Sequence, residues 1–550
     1  MAMIRKNFLS DTDDALFRDD PVKRNAFLWV PLVLLAPAIY GALHWWPLWI
    51  LVAFLTVSFA FAIFDFFQKR HSLRRNYPVA ARMRWFFEDL RPFLRAYIVE
   101  GDLEGRPFNH DQMALVYARA KGQEDAQPFG TELDVYEEGY EILSHSMAPE
   151  VGPPADPRVR VGSSQCKHPY EASCLNISAM SYGSLGARAI EALNRGAQKG
   201  GFYHDTGEGG LSPYHRHGGD LVWELGTGYF GARTPDGDFD PAVFAEKAAD
   251  DQVKMVELKL SQGAKPGKGG MLPGPKVTKE IAEIRGVPEM EDVYSPAAHK
   301  VFRTPIELME FIARMRDLSG GKPAGFKLCV GYPHELLALG KAMVETGIRP
   351  DFIIVDGGEG GTGAAPQEMS DHVGLPLREG LIMTRNMLVG CGLKDEVKLA
   401  AAGKVHSGAT LAMNFALGAD WCNAARAFMF SLGCIQSQKC HTDACPTGVA
   451  TTSEARQRGL DIPDKAARVA RFHQRTIGSL RNLMTAAGVE HHTDFRPFHL
   501  RQRVSVARMT NIERVYEFLE PGQLLQEAEA TSYARWWSMA QAKSFRPVCD

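Results

Sequence analysis

Two apolar runs stand out near the start of the chain. Residues 27–43 carry no charge and are mostly hydrophobic; His44, Trp45, Trp46 and Pro47 interrupt them, and residues 48–64 are apolar again until Asp65. A bilayer span needs about 20 apolar residues, with a floor near 17. Two such runs joined by an aromatic turn predict a transmembrane helical hairpin over residues 27–67, with Trp45 and Trp46 at the far interface. Lys23 and Arg24 precede the pair, and Lys69, Arg70, Arg74 and Arg75 follow it. Positive charge on both flanks predicts a membrane protein with both ends of the hairpin in the cytoplasm, residues 1–26 forming a cytoplasmic N-terminal segment. A cleaved signal sequence fits poorly, because the apolar region starts late and is doubled. The alternative, a buried hairpin of a soluble domain, is disfavoured because such helices rarely lack polar residues on every face.

Downstream the pattern changes. Residues 68–160 mix charge with aromatics, include a helical pattern over 82–95, and end rich in proline (Pro149, Pro153, Pro154, Pro157); they read as a connecting region packed on the main domain. From 161 to 450, short apolar runs at 175–180, 253–260, 325–330, 351–355, 397–402 and 420–424 alternate with helical patterns at 187–197, 277–285, 305–318, 335–346 and 408–417. That alternation suits an α/β fold, a (β/α)₈ TIM-type barrel or a doubly wound sheet. The glycines and charged residues gather just after the strands, as at barrel active sites, which favours the barrel. Residues 451–550 read as a polar, mostly helical C-terminal extension.

Composition adds exclusions. A chain 45% hydrophobic and 23% charged is not disordered. With 62 basic and 65 acidic side chains, net −3, nothing favours nucleic acid as a partner. Nine cysteines in 550 residues are no disulfide scaffold.

The strand ends carry the chemistry. Met180-Ser181-Tyr182-Gly183 follows the first run. Thr206-Gly207-Glu208-Gly209-Gly210 follows a short run at 201–204. The run at 253–260 leads into Gln262-Gly263-Ala264-Lys265-Pro266-Gly267. Lys327 lies inside a strand; Glu359-Gly360-Gly361-Thr362 follows the next, and Gly403-Lys404 and Ala425-Arg426 follow the last two. Glycines let backbone approach a ligand and expose amide donors, and lysines among them predict an anionic ligand. Barrels bind phosphate at the loops after strands seven and eight, where Gly403, Lys404 and Ala425 fall. Gly358-x-Gly360-x-x-Gly363 also matches the dinucleotide fingerprint, a weak signal alone, and Pro366 argues against the long helix that fingerprint requires.

Cys434, Cys440 and Cys445 form a C-x5-C-x4-C segment followed by Pro446. Three clustered thiols predict metal or cluster ligation. A three-iron cluster suits three ligands without an obvious fourth; zinc with His441 is the alternative. The other six cysteines read as ordinary thiols.

Met180–Gly183, Thr206–Gly210, Gln262–Gly267, Gly360–Pro366 and Cys434–Gly448 together resemble the FMN-binding glutamate synthase family, the synthase domain of glutamate synthase, in unbroken order over residues 160–490. The resemblance implies a barrel holding FMN and a [3Fe-4S] cluster on Cys434, Cys440 and Cys445. It also implies reductive amination of 2-oxoglutarate by ammonia, through 2-iminoglutarate, to L-glutamate. It places Met180, Ser181, Gln262, Lys327, Gly360, Gly361 and Thr362 at the flavin. Lys265 and Arg285 would hold the substrate carboxylates, with Glu359 where the larger enzymes carry Asp, and Glu208 would stand by the flavin and the ammonia entrance. Departures are visible too. Met271 replaces a Gln, Lys268 a Glu, and Lys404 the second glycine of the phosphate loop. No Cys precedes Cys166, so no glutaminase nucleophile is expected, and no reductase domain is expected either. Ammonia or an amine donor and electrons from a ferredoxin or separate reductase must then come from outside. The same fold acting on another amino or 2-keto acid, such as N-alkyl glutamate formation, and a non-catalytic membrane-tethered flavin or cluster relay are the alternatives.

Overall fold

The computed structural model describes residues 21–149, 152 and 154–548, with side chains from residue 29 on. Residues 1–20 of the N-terminal segment, the side chains of Lys23 and Arg24, Pro153 and Cys549 lie outside the described residues. The chain divides into two compact units, the first ending at Gly105 and the second beginning at Arg106. The expected connecting region over 68–160 is therefore split between them.

In the first unit, α1 (Pro21–His44) and α2 (Leu48–Phe67) form a helical hairpin. Ala38 and Ala42 pack on Val52 and Leu55. Gly41 permits the close approach, since a Cβ there would stand 2.7 Å from Leu48 Cδ1. One point differs from the sequence reading. Among the described residues only α2 is long and apolar enough to cross a bilayer; the apolar stretch of α1, Trp29–His44, is shorter. Asp65 ends the wholly apolar run but not the helix, which reaches the expected bound of the hairpin. The helix continues to Phe67 because Arg82 donates to both Asp65 carboxylate oxygens at 2.7 Å and the Val79 amide donates at 3.1 Å, so the buried charge is neutralised. The unit continues with α3 (Arg82–Leu94) and a π-helical turn, Arg95–Val99.

The second unit holds a closed barrel of eight parallel strands: β1 (Leu175–Ile177), β2 (His204–Asp205), β3 (Leu221–Leu225), β4 (Val253–Lys259), β5 (Ala324–Leu328), β6 (Phe352–Asp356), β7 (Lys398–Ala402) and β8 (Trp421–Ala424). β4 pairs with β5 and β8 with β1, which removes every edge. Strand β3 escaped the sequence reading. Its five residues are all buried, but Glu224 interrupts an already short apolar run. The lower interior is filled by Tyr203, Val222, Met255, Phe352, Ile354, Ala400 and Trp421. These alternate along their strands, as inward-facing positions must. The antiparallel pair Arg158–Val161 and Tyr170–Ser173 adds Val159, Val161 and Ala172 to the same cluster and plugs the barrel floor.

The C-terminal extension is only partly helical. Ile462–Ala487 packs on the first barrel helix, Ala187–Gly200, where a Cβ at Gly196 would lie 2.4 Å from Val469 Cγ1. Beyond it, Leu500–Ser505 and Arg508–Asn511 form an antiparallel hairpin, to which Glu141–Leu143 adds a third strand. That strand pairing joins residues more than three hundred apart and leaves no periodic signal in either segment alone.

Candidate active site

The C-terminal ends of the strands open into a cavity of about 350 Å³. Each strand contributes. Met180 and Ser181 come from the loop after β1, Gly207 and Glu208 from that after β2, Glu224 from β3, and Lys259, Gln262 and Lys265 from β4 and its loop. Lys327 comes from β5, Asp356, Gly360, Gly361 and Thr362 from β6 and its loop, Gly403 and Lys404 follow β7, and Ala425 and Arg426 follow β8. Cys434, Cys440 and Cys445 line the same cavity.

Two expected site residues are not brought to its wall. Arg285 is buried behind the β1 loop, donating to the Tyr182 carbonyl at 2.9 Å and lying over the Phe230 ring. Burial pushes its guanidinium down to about 10, although Glu208 favours the charge. Glu359 turns toward a helix start, where its carboxylate accepts from the Leu377 amide at 2.9 Å, while its carbonyl accepts from Arg426 at 2.8 Å. Neither is among the lining residues. The reason is local: both face elements packed behind the loops, a geometry that spacing along the chain does not reveal.

The charges form layers. Deepest lie the carboxylates of Asp205, Glu224 and Glu257, with ligand-type atoms all within 4.8 Å of one another. Lys327 makes an ion pair with Glu224 and stands 3.2 Å from Glu257. Burial raises Glu257 far above the usual carboxylate range, and the Asp205 charge adds to it. Burial likewise raises Asp205 and Asp356, against the pull of Lys327. Nearer the mouth, Lys259 stands 3.2 Å from Glu208. Burial works against the Glu208 charge, but the attraction and hydrogen bond of Lys259 outweigh it and hold this carboxyl below its usual range. Lys265 donates to the Ala364 carbonyl at 2.6 Å and makes no ion pair among the described residues. Burial, with repulsion from Lys259 and Lys268, pushes it down to about 8.

At the opposite wall Lys404 and Arg426 converge. Burial lowers both, and Arg426 further lowers Lys404. Lys404 adopts φ +49°, which is strained for a side-chain-bearing residue. Gly361 has Arg426 Nε where a Cβ would stand 3.0 Å away. Neighbouring cations beside side-chain-free backbone fit a phosphate, and the adjoining glycine-lined space fits a planar ring system. These residues therefore fit FMN.

The cysteine loop is anchored from outside the barrel. The Gln436 amide group bridges Phe108, accepting from its N–H at 3.1 Å and donating to its carbonyl at 2.9 Å, and the Tyr117 hydroxyl donates to the Cys434 carbonyl at 2.5 Å. Burial pushes the Cys434 thiol up to about 12 and raises Cys440. Burial also opposes a charge on Cys445, yet the Thr447 hydroxyl and the amides of Ala450, Thr447 and Val449 bring it below the usual thiol range. Buried Lys276 donates to the Cys440 carbonyl at 3.3 Å and feels both Cys440 and Cys445. Amide donors around Cys445 and a buried cation near two of the sulfurs favour ligation of a metal or cluster on this loop. His441 is exposed and does not line the cavity, whereas all three cysteines do, a set that fits a metal or cluster held by cysteine sulfur.

Sequence reading missed Phe108, Glu224, Lys259 and Lys276 as site residues. Lys259 carried a signal, a lysine at the end of a strand run. Glu224 sat in the unrecognised strand; Phe108 and Lys276 reach the site only through folding.

A family model described as a conserved region in glutamate synthase matches residues 155–490. The glutamate synthase large subunit-like protein YerD of Bacillus subtilis is 37% identical over 513 residues, covering 85% of this chain and 97% of that protein. An archaeal glutamate synthase [NADPH] of Methanocaldococcus jannaschii is 32% identical over 318 residues, covering 57% of this chain and 58% of its own length. The glutamate synthase [NADPH] large chain of Bacillus subtilis is 32% identical across 56% of this chain and 20% of its own. Barrel, cavity and matches agree: this chain belongs to the glutamate synthase family, oxidoreductases that act on CH–NH₂ donors.

Proposed function

We propose that this protein is an FMN- and [3Fe-4S]-dependent synthase that aminates 2-oxoglutarate to L-glutamate. Its nitrogen is ammonia or an amine donor, and its electrons come from a separate ferredoxin or reductase. The observation that carries the reading is Lys265: a cation on the cavity wall with a carbonyl partner and no carboxylate ion pair among the described residues. A carboxylate ligand satisfies it by a charge-assisted hydrogen bond. When bound, FMN supplies the hydride that reduces the imine of the keto acid. Lys404 and Arg426 would hold its phosphate, Lys327 would supply a cation to the flavin, and Met180, Ser181, Gln262, Gly360, Gly361 and Thr362 would line its site. Glu208, kept ionised by Lys259, accepts N–H donors from the incoming nitrogen. Cys434, Cys440 and Cys445 would hold the cluster, which would supply one-electron chemistry beside the flavin site.

Membrane attachment belongs to the same reading, with the catalytic unit in the cytoplasm; the length and apolarity of α2 support it. A second reading, another 2-keto acid on the same machinery, is favoured by Met271, an apolar side chain on the cavity wall. The test is anaerobic spectroscopy of the purified full chain. Its flavin is bleached by reduced ferredoxin or by NADPH with a reductase, and 2-oxoglutarate and ammonium are then added. Reoxidation with stoichiometric L-glutamate supports the proposal. Reoxidation only by a different keto acid selects the second reading, and none by any keto acid leaves an electron relay.

A further inference from the structure

We propose that α3 and the turn after it lie flat in the interface of an anionic phospholipid bilayer, forming an attachment separate from the α1–α2 hairpin. The proposal deepens the reading of membrane attachment and rests on it in part.

The helix is built for an interface. No residue of Arg82–Leu94 is buried. Met83, Phe86, Phe87, Leu90, Leu94, Tyr97 and Ile98 recur at helical spacing and share one side, and Arg84, Glu88, Arg91 and Arg95 form a narrow charged stripe along one edge of it. The apolar side is open: Phe86 is 56% exposed, Phe87 52% and Ile98 74%. Leaving so many large apolar side chains in water is costly, at about 25 cal/mol per Å².

Two further observations select lipid as the occupant. The first is charge. Between residues 69 and 95 stand eight Lys/Arg (Lys69, Arg70, Arg74, Arg75, Arg82, Arg84, Arg91, Arg95) against two acids, Glu88 and Asp89. A segment so basic repels a second copy of itself and is attracted to anionic headgroups. Arginines at the edge of an apolar face can bury their stems and keep their guanidinium groups at headgroup level. The second is continuity. Arg82, the first residue of α3, is clamped to Asp65 in the last turn of α2, and its guanidinium lies 4.2 Å from the Phe61 ring centre. The start of α3 is thereby fixed where the bilayer-compatible helix ends.

The experiment uses the full chain in nanodiscs of phosphatidylcholine, with or without phosphatidylglycerol. Each disc carries a trace of phospholipid bearing a diazirine near the headgroup end of its acyl chain. Photolysis and peptide mass spectrometry then map the lipid adducts. The expected result is adducts within residues 82–99 that are more abundant in the anionic discs. Arg84→Gln and Arg91→Gln should each lower their yield there about fivefold. Phe86→Glu with Ile98→Glu should abolish them while adducts on Leu48–Phe67 persist. Adducts on Leu48–Phe67 with none on 82–99, or equal yields with and without phosphatidylglycerol, would each overturn the proposal. Absence of adducts from both segments would overturn the attachment reading as well.

Discussion

Lys259 and Glu208 face each other at 3.2 Å across the cavity mouth, one at the end of β4 and the other in the loop after β2. The pair uses up the nearest carboxylate, so Lys265, six residues beyond Lys259, is left without an acidic partner among the described residues. On this side of the cavity Lys259 is neutralised and Lys265 is not, and Lys265 sets the first expectations for binding.

Lys265→Met should weaken 2-oxoglutarate binding about 10- to 100-fold while the flavin spectrum is kept, since one charge-assisted contact contributes roughly 1.5–3 kcal/mol. A titration followed by difference spectroscopy measures it. Unchanged affinity would show that the substrate carboxylate sits elsewhere.

The same lysine predicts a pH dependence. Burial and like charges lower it to about 8, so it is protonated below that value and neutral above. Affinity for 2-oxoglutarate should hold on the acid side of pH 8 and fall on the alkaline side, because only the protonated amine attracts the carboxylate. Lys265→Arg, which stays charged, should remove this fall. A variant with the unaltered profile would assign the transition to another group.

The buried acids under the cavity make Lys327 a structural necessity as well as a site residue. Lys327→Met removes the cation paired with Glu224 and should destabilise the chain by about 3–5 kcal/mol. Glu224→Gln should also destabilise it, because Glu257, 3.2 Å from Lys327 but held by burial far above the usual carboxylate range, replaces the lost carboxylate poorly. Thermal unfolding of the two variants measures both losses; an unchanged midpoint in either would mean that the Lys327–Glu224 pair does not stabilise the fold.

Serine at any one of Cys434, Cys440 or Cys445 should remove iron and inorganic sulfide in anaerobic metal analysis and stop donor-driven flavin reduction. Reduction by dithionite should survive, because the phosphate and ring contacts lie on other loops. Zinc without iron in the unaltered protein would sink the cluster assignment.

A chain beginning at Arg106 should appear in the soluble fraction without detergent, while the full chain follows the membranes. Both expectations derive from the exposed apolar residues of the first unit, Trp46, Ile50 and Phe54 among them. Full chain recovered in the soluble fraction would contradict them.

Much of this protein is legible along the chain. Alternating apolar runs and helical patterns specify a parallel α/β fold, because burial on both faces makes each parallel strand continuously apolar, and the special residues after the strands favour the barrel. Glycine and lysine after those runs mark the ligand end, since only there does backbone come free of the sheet. Every flavin-site residue read from the motifs, together with Lys265, Glu208 and the three cysteines, lines one cavity. Folding alone decided the rest. Arg285 and Glu359 carry the right chemistry at the right spacing, but packing behind the loops turns them toward backbone partners. Glu224 entered through a strand too short to recognise, and Asp65 could remain inside an apolar helix because Arg82, seventeen residues on, folds back to neutralise it. Local pattern determines which element forms. Which side chain meets which charge depends on contacts between distant segments, whose energies leave no periodic trace in the sequence.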